Sequence, residues 1–242
     1  MSQSKQSIWV FADYRNYFQN RVTLQLLAKA NGLATGMDAE VCAVVFGHET
    51  DEYVAEYIAH GAQKVRVVEH PSLNRYSVEK FTVLMEKLAG DHQPEIILIG
   101  ATSFGREFAP RVAKRLGTGL TADCIGLEIT SEGHLLQIAP SFGGNLIAEI
   151  ITPDHRPHMA TVRPGTFQEL PHDDTRRGEI VRRPLPKKIP RDRLRLVAYE
   201  RRTDRDQRLE DAKIVVCGGR GMGSKLKFKK LFELAQLLSG EV

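Results

Sequence analysis

The sequence predicts an α/β protein with a parallel sheet, an antiparallel extension and a partial second α/β domain. Three observations predict this fold. Short apolar runs alternate with helical segments from Ser7 to Leu116, as in a parallel sheet with helices on both faces. Strand-like segments then follow one another closely between residues 122 and 162. A strand, a glycine-rich turn and a helix come last.

The first part of the chain is predicted to contain four strands and four helices. The strands are Ser7–Ala12, Glu40–Phe46, Lys64–Val68 and Glu95–Ile99, and the helices are Val22–Ala30, Thr50–Ala59, Ser77–Leu88 and Phe104–Leu116. The runs Ile8–Phe11 and Ile96–Ile99 are apolar throughout, which is typical of strands covered on both faces. Thr50 and Ser77 are candidate helix N-caps.

After residue 120 the helical segments disappear and the predicted strands are short. They are Ala122–Ile129, Leu135–Ala139, Leu146–Ile151 and Met159–Val162, with turns at Ser131–Gly133, Gly143–Asn145 and Pro153–Pro157. We interpret them as an antiparallel extension of the parallel sheet.

The remaining sequence is predicted to form a linker and an incomplete domain. Four prolines within residues 165–192 disfavour helix, so we expect a linker or an arm along the surface. Strands are expected at Leu194–Tyr199 and, buried, at Ile214–Cys217, with a helix at Phe228–Leu238. We therefore place an N-terminal domain with its linker arm at 1–192 and the start of a second domain at 193–242. One strand and helix cannot bury their own surfaces and need a sheet to join.

Charge and composition exclude several classes of protein. No apolar run is long enough to cross a membrane. Cys42, Cys124 and Cys217 are odd in number and far apart, which argues against disulfides and favours buried thiols in a reducing compartment. The net charge is only +4, but thirteen Lys or Arg face five Asp or Glu between Arg176 and Arg208. Few aromatic residues accompany these charges, so we expect a solvated linker or a clamp on an acidic partner surface rather than nucleic-acid binding.

No catalytic or metal-binding constellation stands out. His155 and His158 are close in sequence but lack Cys or acidic residues at ligand spacing, so surface histidines are expected. No Ser-His-Asp pattern and no G-x-S-x-G motif occurs.

The sharpest local signal is the glycine-rich turn Gly218–Ser224. A strand that ends in glycines and opens a helix directs free N–H groups and the positive helix end toward a ligand. Ser224 stands where the G-x-G-x-x-G fingerprint needs its third glycine, and the Walker A order is absent. The spacing is therefore compatible with a nucleotide site and with a tight structural turn. Arg220 can stack on a flat ring, bind an oxyanion or simply face solvent.

Five stretches in this order resemble the alpha subunit of electron-transfer flavoproteins. They are Gly105–Leu116 (GREFAPRVAKRL), Gly117–Cys124 (GTGLTADC), Pro140–Asn145 (PSFGGN), Thr161–Phe167 (TVRPGTF) and Val215–Gly221 (VVCGGRG). The resemblance implies an N-terminal Rossmann-like, adenine-nucleotide-hydrolase-like domain, a C-terminal FAD-binding domain and a heterodimer with a beta subunit. It also implies that any second nucleotide lies in the beta subunit.

The resemblance assigns one flavin-contacting motif to this sequence, namely Gly218, Gly219, Arg220 and Gly221. In the family this arginine lies beside the flavin ring, where a cation stabilises negative charge on the reduced cofactor. The sequence stops at Val242, ahead of the family's further flavin motifs, so we expect most of the FAD site to lie outside this chain.

The implied function is that of an electron carrier rather than an enzyme. It would pass electrons from acyl-CoA or other dehydrogenases to a downstream acceptor, or work within a bifurcating complex, in the cytoplasm or, in a eukaryote, the mitochondrial matrix. The alternative is a nucleotide-binding-type scaffold without redox activity of its own. Pro140–Asn145 predicts a hairpin turn or a surface that meets the beta subunit. Asp123 is a candidate helix cap, ion-pair partner or interface residue.

Overall fold

A computed structural model describes residues 6–15, 17–190, 193, 197–198, 209 and 212–242. The chain divides into two compact units, Met1–Arg193 and Leu194–Val242. No helix among these residues is long and apolar enough to span a bilayer.

The first unit contains a seven-stranded parallel sheet and four helices. The strands and helices in chain order are β1 Ser7–Phe11, α1 Tyr17–Thr35, β2 Glu40–Gly47, α2 Asp51–Ala59, β3 Lys64–Glu69, α3 Val78–His92, β4 Ile96–Gly100, α4 Ser103–Leu116, β5 Leu120–Cys124, β6 Gly126–Ile129, β7 Leu135–Ser141, β8 Leu146–Ile150, β9 His158–Val162 and β10 Glu179–Arg183. The strand order is β10-β3-β2-β1-β4-β9-β5, and every pair is parallel. The prediction of a parallel α/β sheet is confirmed.

The core lies on both faces of this sheet, because its central strands are apolar at every position. Ile8 and Val10 face one buried cluster, and Trp9 and Phe11 face the other. On the second face Phe11 lies 4.6 Å from Phe108, measured between ring centres. The continuous apolar runs of the sequence therefore correspond to strands covered on both sides.

The helix starts follow the predicted caps in part. The Ser77 hydroxyl accepts a hydrogen bond from the Lys80 N–H, as an N-cap should. Thr50 occupies the position before α2, but its hydroxyl makes no capping bond. The backbone N–H of Thr50 instead donates to Glu69.

The predicted strand Ala122–Ile129 is wrong as a single element. Asp123 has a φ of 59°, a left-handed conformation that interrupts a strand, and the register shifts between Thr121 and Cys124. As a result β5 pairs with β9 at the edge of the parallel sheet, whereas β6 begins a separate antiparallel sheet of order β6-β7-β8.

Met159–Val162 was expected in the antiparallel extension and lies instead in the parallel sheet. This strand, β9, is inserted between β4 and β5 and is buried at every position. Short spacing along the sequence suggested a hairpin, but the hairpin β7–β8 forms without it.

Residues 165–192 are not only a linker, because they contain β10. This strand extends the sheet beside β3, with Val181 opposite Arg66. Two basic residues of the stretch after residue 176 pair with acids of their own unit: Arg182 binds Asp51 and Glu69, and Arg193 binds Glu79. These ion pairs hold part of the basic stretch against the first unit, and the expected clamp on an acidic partner surface stays a prediction.

The second unit consists, in its described part, of a turn and α5, Lys225–Leu237. The expected buried strand Ile214–Cys217 is wrong in its burial, since Ile214 and Val215 are exposed. Val215 forms a single parallel bridge with Glu241, and a strand is buried only when neighbours cover it. The predicted strand Leu194–Tyr199 falls almost entirely outside the described residues.

Candidate functional site

The glycine-rich turn joins the segment at Val215 to α5 in a compact way. A turn of 3-10 helix covers Arg220–Met222, and Gly223 follows with a φ of 71°. The Ser224 hydroxyl accepts from the Lys227 N–H and caps α5. Because Glu241 bridges back to Val215 in parallel, the local arrangement is the beginning of a strand–helix–strand unit.

The glycines of the turn differ in the space that surrounds them. A Cβ on Gly218 would lie 2.2 Å from Leu231 Cδ1, so this glycine lets the turn pack on α5. A Cβ on Gly219 or Gly221 would meet no atom within 4 Å. Gly219 has an extended backbone that any residue adopts. Internal packing therefore does not require these two glycines, and the space beside them is open to a ligand.

Donors of the turn are also free. Within the described part of the chain, the backbone N–H groups of Gly219, Arg220 and Gly221 donate no hydrogen bond. The Arg220 side chain is exposed and forms no ion pair with any described acid. Three unused N–H groups and a guanidinium in one short turn are chemically suited to an electron-rich ligand.

Cys217 directly precedes this turn and is exposed, so the expectation of a buried thiol is wrong there. Cys42 and Cys124 are buried. Burial raises the pKa of each of these two thiols to about 12, which keeps them protonated.

Three of the five stretches quoted above meet at the carboxyl edge of the first unit's sheet. Asp123 Oδ2 accepts a hydrogen bond of 2.6 Å from Arg163, and its Oδ1 lies 3.9 Å from Arg106. The Asp123 N–H donates to Thr161 Oγ1. Asp123 is therefore an ion-pair partner within the unit. These contacts hold its left-handed backbone and bring the three motifs together in space.

Sequence reasoning missed the extent of an apolar ledge beside the predicted hairpin. Phe142, in the Pro140–Asn145 turn, is 81% exposed at a φ of 50°. On the edge strand β8 and just after it, Leu146, Ile147, Ile150 and Ile151 are exposed as well. We call these five residues the β8 ledge. A signal was available, because β8 is apolar at nearly every position whereas a half-exposed strand normally alternates.

The histidines do not form a metal site among the described residues. His158 is fully buried, contrary to the expectation of a surface histidine. Its Nδ1 accepts from the Leu135 N–H at 3.3 Å and its Nε2 lies 2.9 Å from the Thr152 carbonyl oxygen. The ring thus fastens both ends of the β7–β8 hairpin to the parallel sheet.

Comparison with known proteins assigns both units. A family described as the electron transfer flavoprotein domain matches residues 8–188, and one described as the electron transfer flavoprotein FAD-binding domain matches residues 208–242. An electron transfer flavoprotein subunit alpha of Thermoanaerobacterium thermosaccharolyticum is 42% identical, over 97% of this chain and 71% of the relative. The subunit alpha of Clostridium acetobutylicum is 41% identical over the same shares. A protein FixB of Clostridium saccharobutylicum is 39% identical, over 97% of this chain and 70% of the relative.

These matches extend over both units and include the glycine-rich turn. Proteins of this family carry electrons on FAD rather than catalyse a reaction of their own, and pair with a beta subunit. The chain belongs to the electron-transfer flavoprotein alpha-subunit family.

Proposed function

We propose that this chain carries electrons as an alpha subunit whose turn Gly218–Gly221 contacts FAD and whose β8 ledge contacts the beta subunit. The observation that carries the first part is the turn itself, with three unused N–H groups and an exposed arginine. It lies inside the segment that matches the FAD-binding domain. In such a domain the turn would be one wall of the flavin site.

The residues of the turn fit a flavin dinucleotide. Free N–H groups match the phosphate and carbonyl oxygens of such a ligand, and the open space at Gly219 and Gly221 permits close approach of the backbone. The Arg220 guanidinium is planar and can stack on a ring or bind an oxygen. When bound, FAD supplies the one-electron and two-electron chemistry of the carrier.

The role of Arg220 follows from its charge. A guanidinium beside the flavin ring stabilises the cofactor more as the ring becomes negative on reduction. Arg220 has no acidic partner among the described residues, so its charge is not already neutralised. It would therefore raise the reduction potential of the flavin.

The β8 ledge has the composition of a protein interface. A hairpin edge with an 81% exposed phenylalanine and four exposed aliphatic residues is costly in water. Aromatic residues in particular anchor interfaces. The family pairs with a beta subunit, so we assign that subunit as the occupant.

The charges around the ledge indicate what the partner surface contains. Between Leu116 and His155 the sequence has no Lys or Arg but has five acidic residues. Glu128, Glu132 and Glu149 are exposed on the small antiparallel sheet and its turns. A complementary partner surface would have an apolar centre and a basic rim.

The wider electron pathway is proposed from the relatives' names. An acryloyl-CoA reductase electron transfer subunit beta of Anaerotignum propionicum is 30% identical, over 93% of this chain and 68% of the relative. The name links that relative to an enzyme that reduces an acyl-CoA, so we propose an acyl-CoA-linked or other dehydrogenase as a redox partner of this carrier, and the cytoplasm as its location. A bifurcating complex is the variant of this proposal in which the same carrier works from NADH.

The flavin part is tested by Gly219→Ala in the chain co-expressed with its beta subunit. Because the added methyl would meet no described atom within 4 Å and the backbone is extended, the fold should be retained. We expect less flavin absorbance per protein and weaker FAD retention. Gly90→Ala is the matched control. A Cβ at Gly90 would also meet no described atom within 4 Å, but this residue lies in α3 of the first unit and not in the glycine-rich turn. A colourless wild-type complex, or equal flavin content in both variants, would contradict the proposal.

A further inference from the structure

Two buried N–H groups on one face of the parallel sheet have no acceptor. Trp9 on β1 is fully buried, and its Nε1 has no hydrogen-bond partner among the described residues. Arg66 on β3 is partly buried, and its Nε is equally without a partner. Buried tryptophan and arginine nitrogens are normally hydrogen-bonded, and an exception often marks a bound water or ion.

The Trp9 and Arg66 side chains lie close to each other, and His92 lies beside both of them. The Arg66 guanidinium carbon lies 5.5 Å from the centre of the Trp9 ring. The Nη1 of Arg66 lies 3.2 Å from His92 Nε2, at the end of α3. The His92 and Trp9 ring centres are 6.3 Å apart. Because an arginine side chain can only donate hydrogen bonds, His92 Nε2 accepts from Arg66 Nη1. The Nε of Arg66 takes no part in this bond and has no acceptor among the described residues.

The surroundings of the two groups are mainly positive. Arg183 on β10 points to the same face as Arg66, because Val181 is the register partner of Arg66 and Arg183 is two residues further. The Cys42 thiol between the strands stays protonated, since burial raises its pKa to about 12. Lys64 is already paired with Glu40 and Glu179, and no described acid forms an ion pair with Arg66.

The protonation of His92 responds to the same field. Burial lowers its pKa below the usual value of 6.5, and Arg66, Arg183 and Lys64 lower it further. Asp91 opposes them. A neutral ring with cations around it is the environment that an anion would balance.

We propose that Trp9 Nε1, the Arg66 guanidinium and Arg183 bind a small oxyanion of the size of inorganic phosphate beside His92. A planar guanidinium suits an oxyanion because two N–H groups can bind two oxygens. Trp9 supplies a neutral donor from the interior, and the exposed Arg183 supplies a positive charge at the surface. The site is in the first unit and is independent of the flavin turn.

Trp9 is also a built-in probe, because it is the single tryptophan of the chain. Its emission should change saturably when sodium phosphate replaces sodium chloride at constant ionic strength, and the melting temperature should rise in parallel. Arg66→Gln should weaken phosphate binding about tenfold or more, since a charge-assisted hydrogen bond is lost. Arg183→Gln should weaken it less.

Controls separate this site from general salt effects and from a buried water. Arg111→Gln removes an exposed arginine of α4 and should leave the titration unchanged. If neither the Trp9 emission nor the melting temperature responds to phosphate, the two donors bind no more than a water molecule and the proposal is overturned. An equal response in wild type and Arg66→Gln would also overturn it. If Arg66→Gln does not fold, the exposed Arg183→Gln variant decides, and an unchanged affinity in that variant refutes the site.

Discussion

Truncation of Phe142 to alanine is the most direct test of the β8 ledge. The side chain is 81% exposed in the free chain and projects from a turn outside the core. A phenylalanine buries roughly 150–250 Å² in an interface. At about 25 cal/mol per Å², the lower end of that range corresponds to about 4 kcal/mol of binding free energy. Part of this is offset by ordering, so we expect a loss of about 2 kcal/mol, or about thirtyfold in Kd.

The assay is association of the chain with its beta subunit, measured by calorimetry or by surface-immobilised binding. Ile180→Ala is the matched control, because Ile180 is an apolar residue that is 47% exposed on β10, an edge strand of the seven-stranded sheet rather than of the sheet that contains β8. The melting temperature of free Phe142→Ala should stay unchanged, since few contacts are lost. An unchanged Kd for Phe142→Ala, or an equal loss for Ile180→Ala, would refute the assignment of this surface.

Three further predictions follow from single residues. Arg220→Ala should lower the reduction potential of the bound flavin and Arg220→Lys should largely restore it, by redox titration; equal potentials would argue against a cation beside the ring. Gly105→Ala should destabilise the first unit by about 1–3 kcal/mol in urea unfolding, because its Cβ would lie 1.8 Å from the Gly100 carbonyl oxygen; an unaltered midpoint would contradict this packing. Burial lowers the pKa of His158 below 6.5, so as the pH falls below 6.5 the unfolded chain gains a proton on this residue before the folded chain does. The free energy of unfolding should therefore decrease there by up to about 1.4 kcal/mol per pH unit, and His158→Gln should remove this contribution to the pH dependence.

The central strands and most helices could be predicted from the sequence, because their signals are local. Ile8–Phe11 and Ile96–Ile99 are apolar at every position, and this pattern fits only strands covered on both faces. The hairpin turn at Pro140–Asn145 could also be predicted, from its two glycines. The sequence assignments of β5 and β9 were wrong, and β10 was missed. A short segment carries no local signal of the distant strand with which it will pair. Asp123 interrupts the predicted strand Ala122–Ile129 because Arg163 and Thr161 hold it in a left-handed conformation.

The candidate site divides in the same way. By itself the sequence determined the glycine-rich turn, its arginine and the family motifs, because these depend on residue types at fixed spacing. Only the tertiary structure decided that Gly219 and Gly221 border open space while Gly218 is needed for packing on Leu231. It also brought Trp9, Arg66 and His92 together from three elements. Unsatisfied donors and exposed ledges are properties of what surrounds a residue, and those surroundings exist only once the chain has folded.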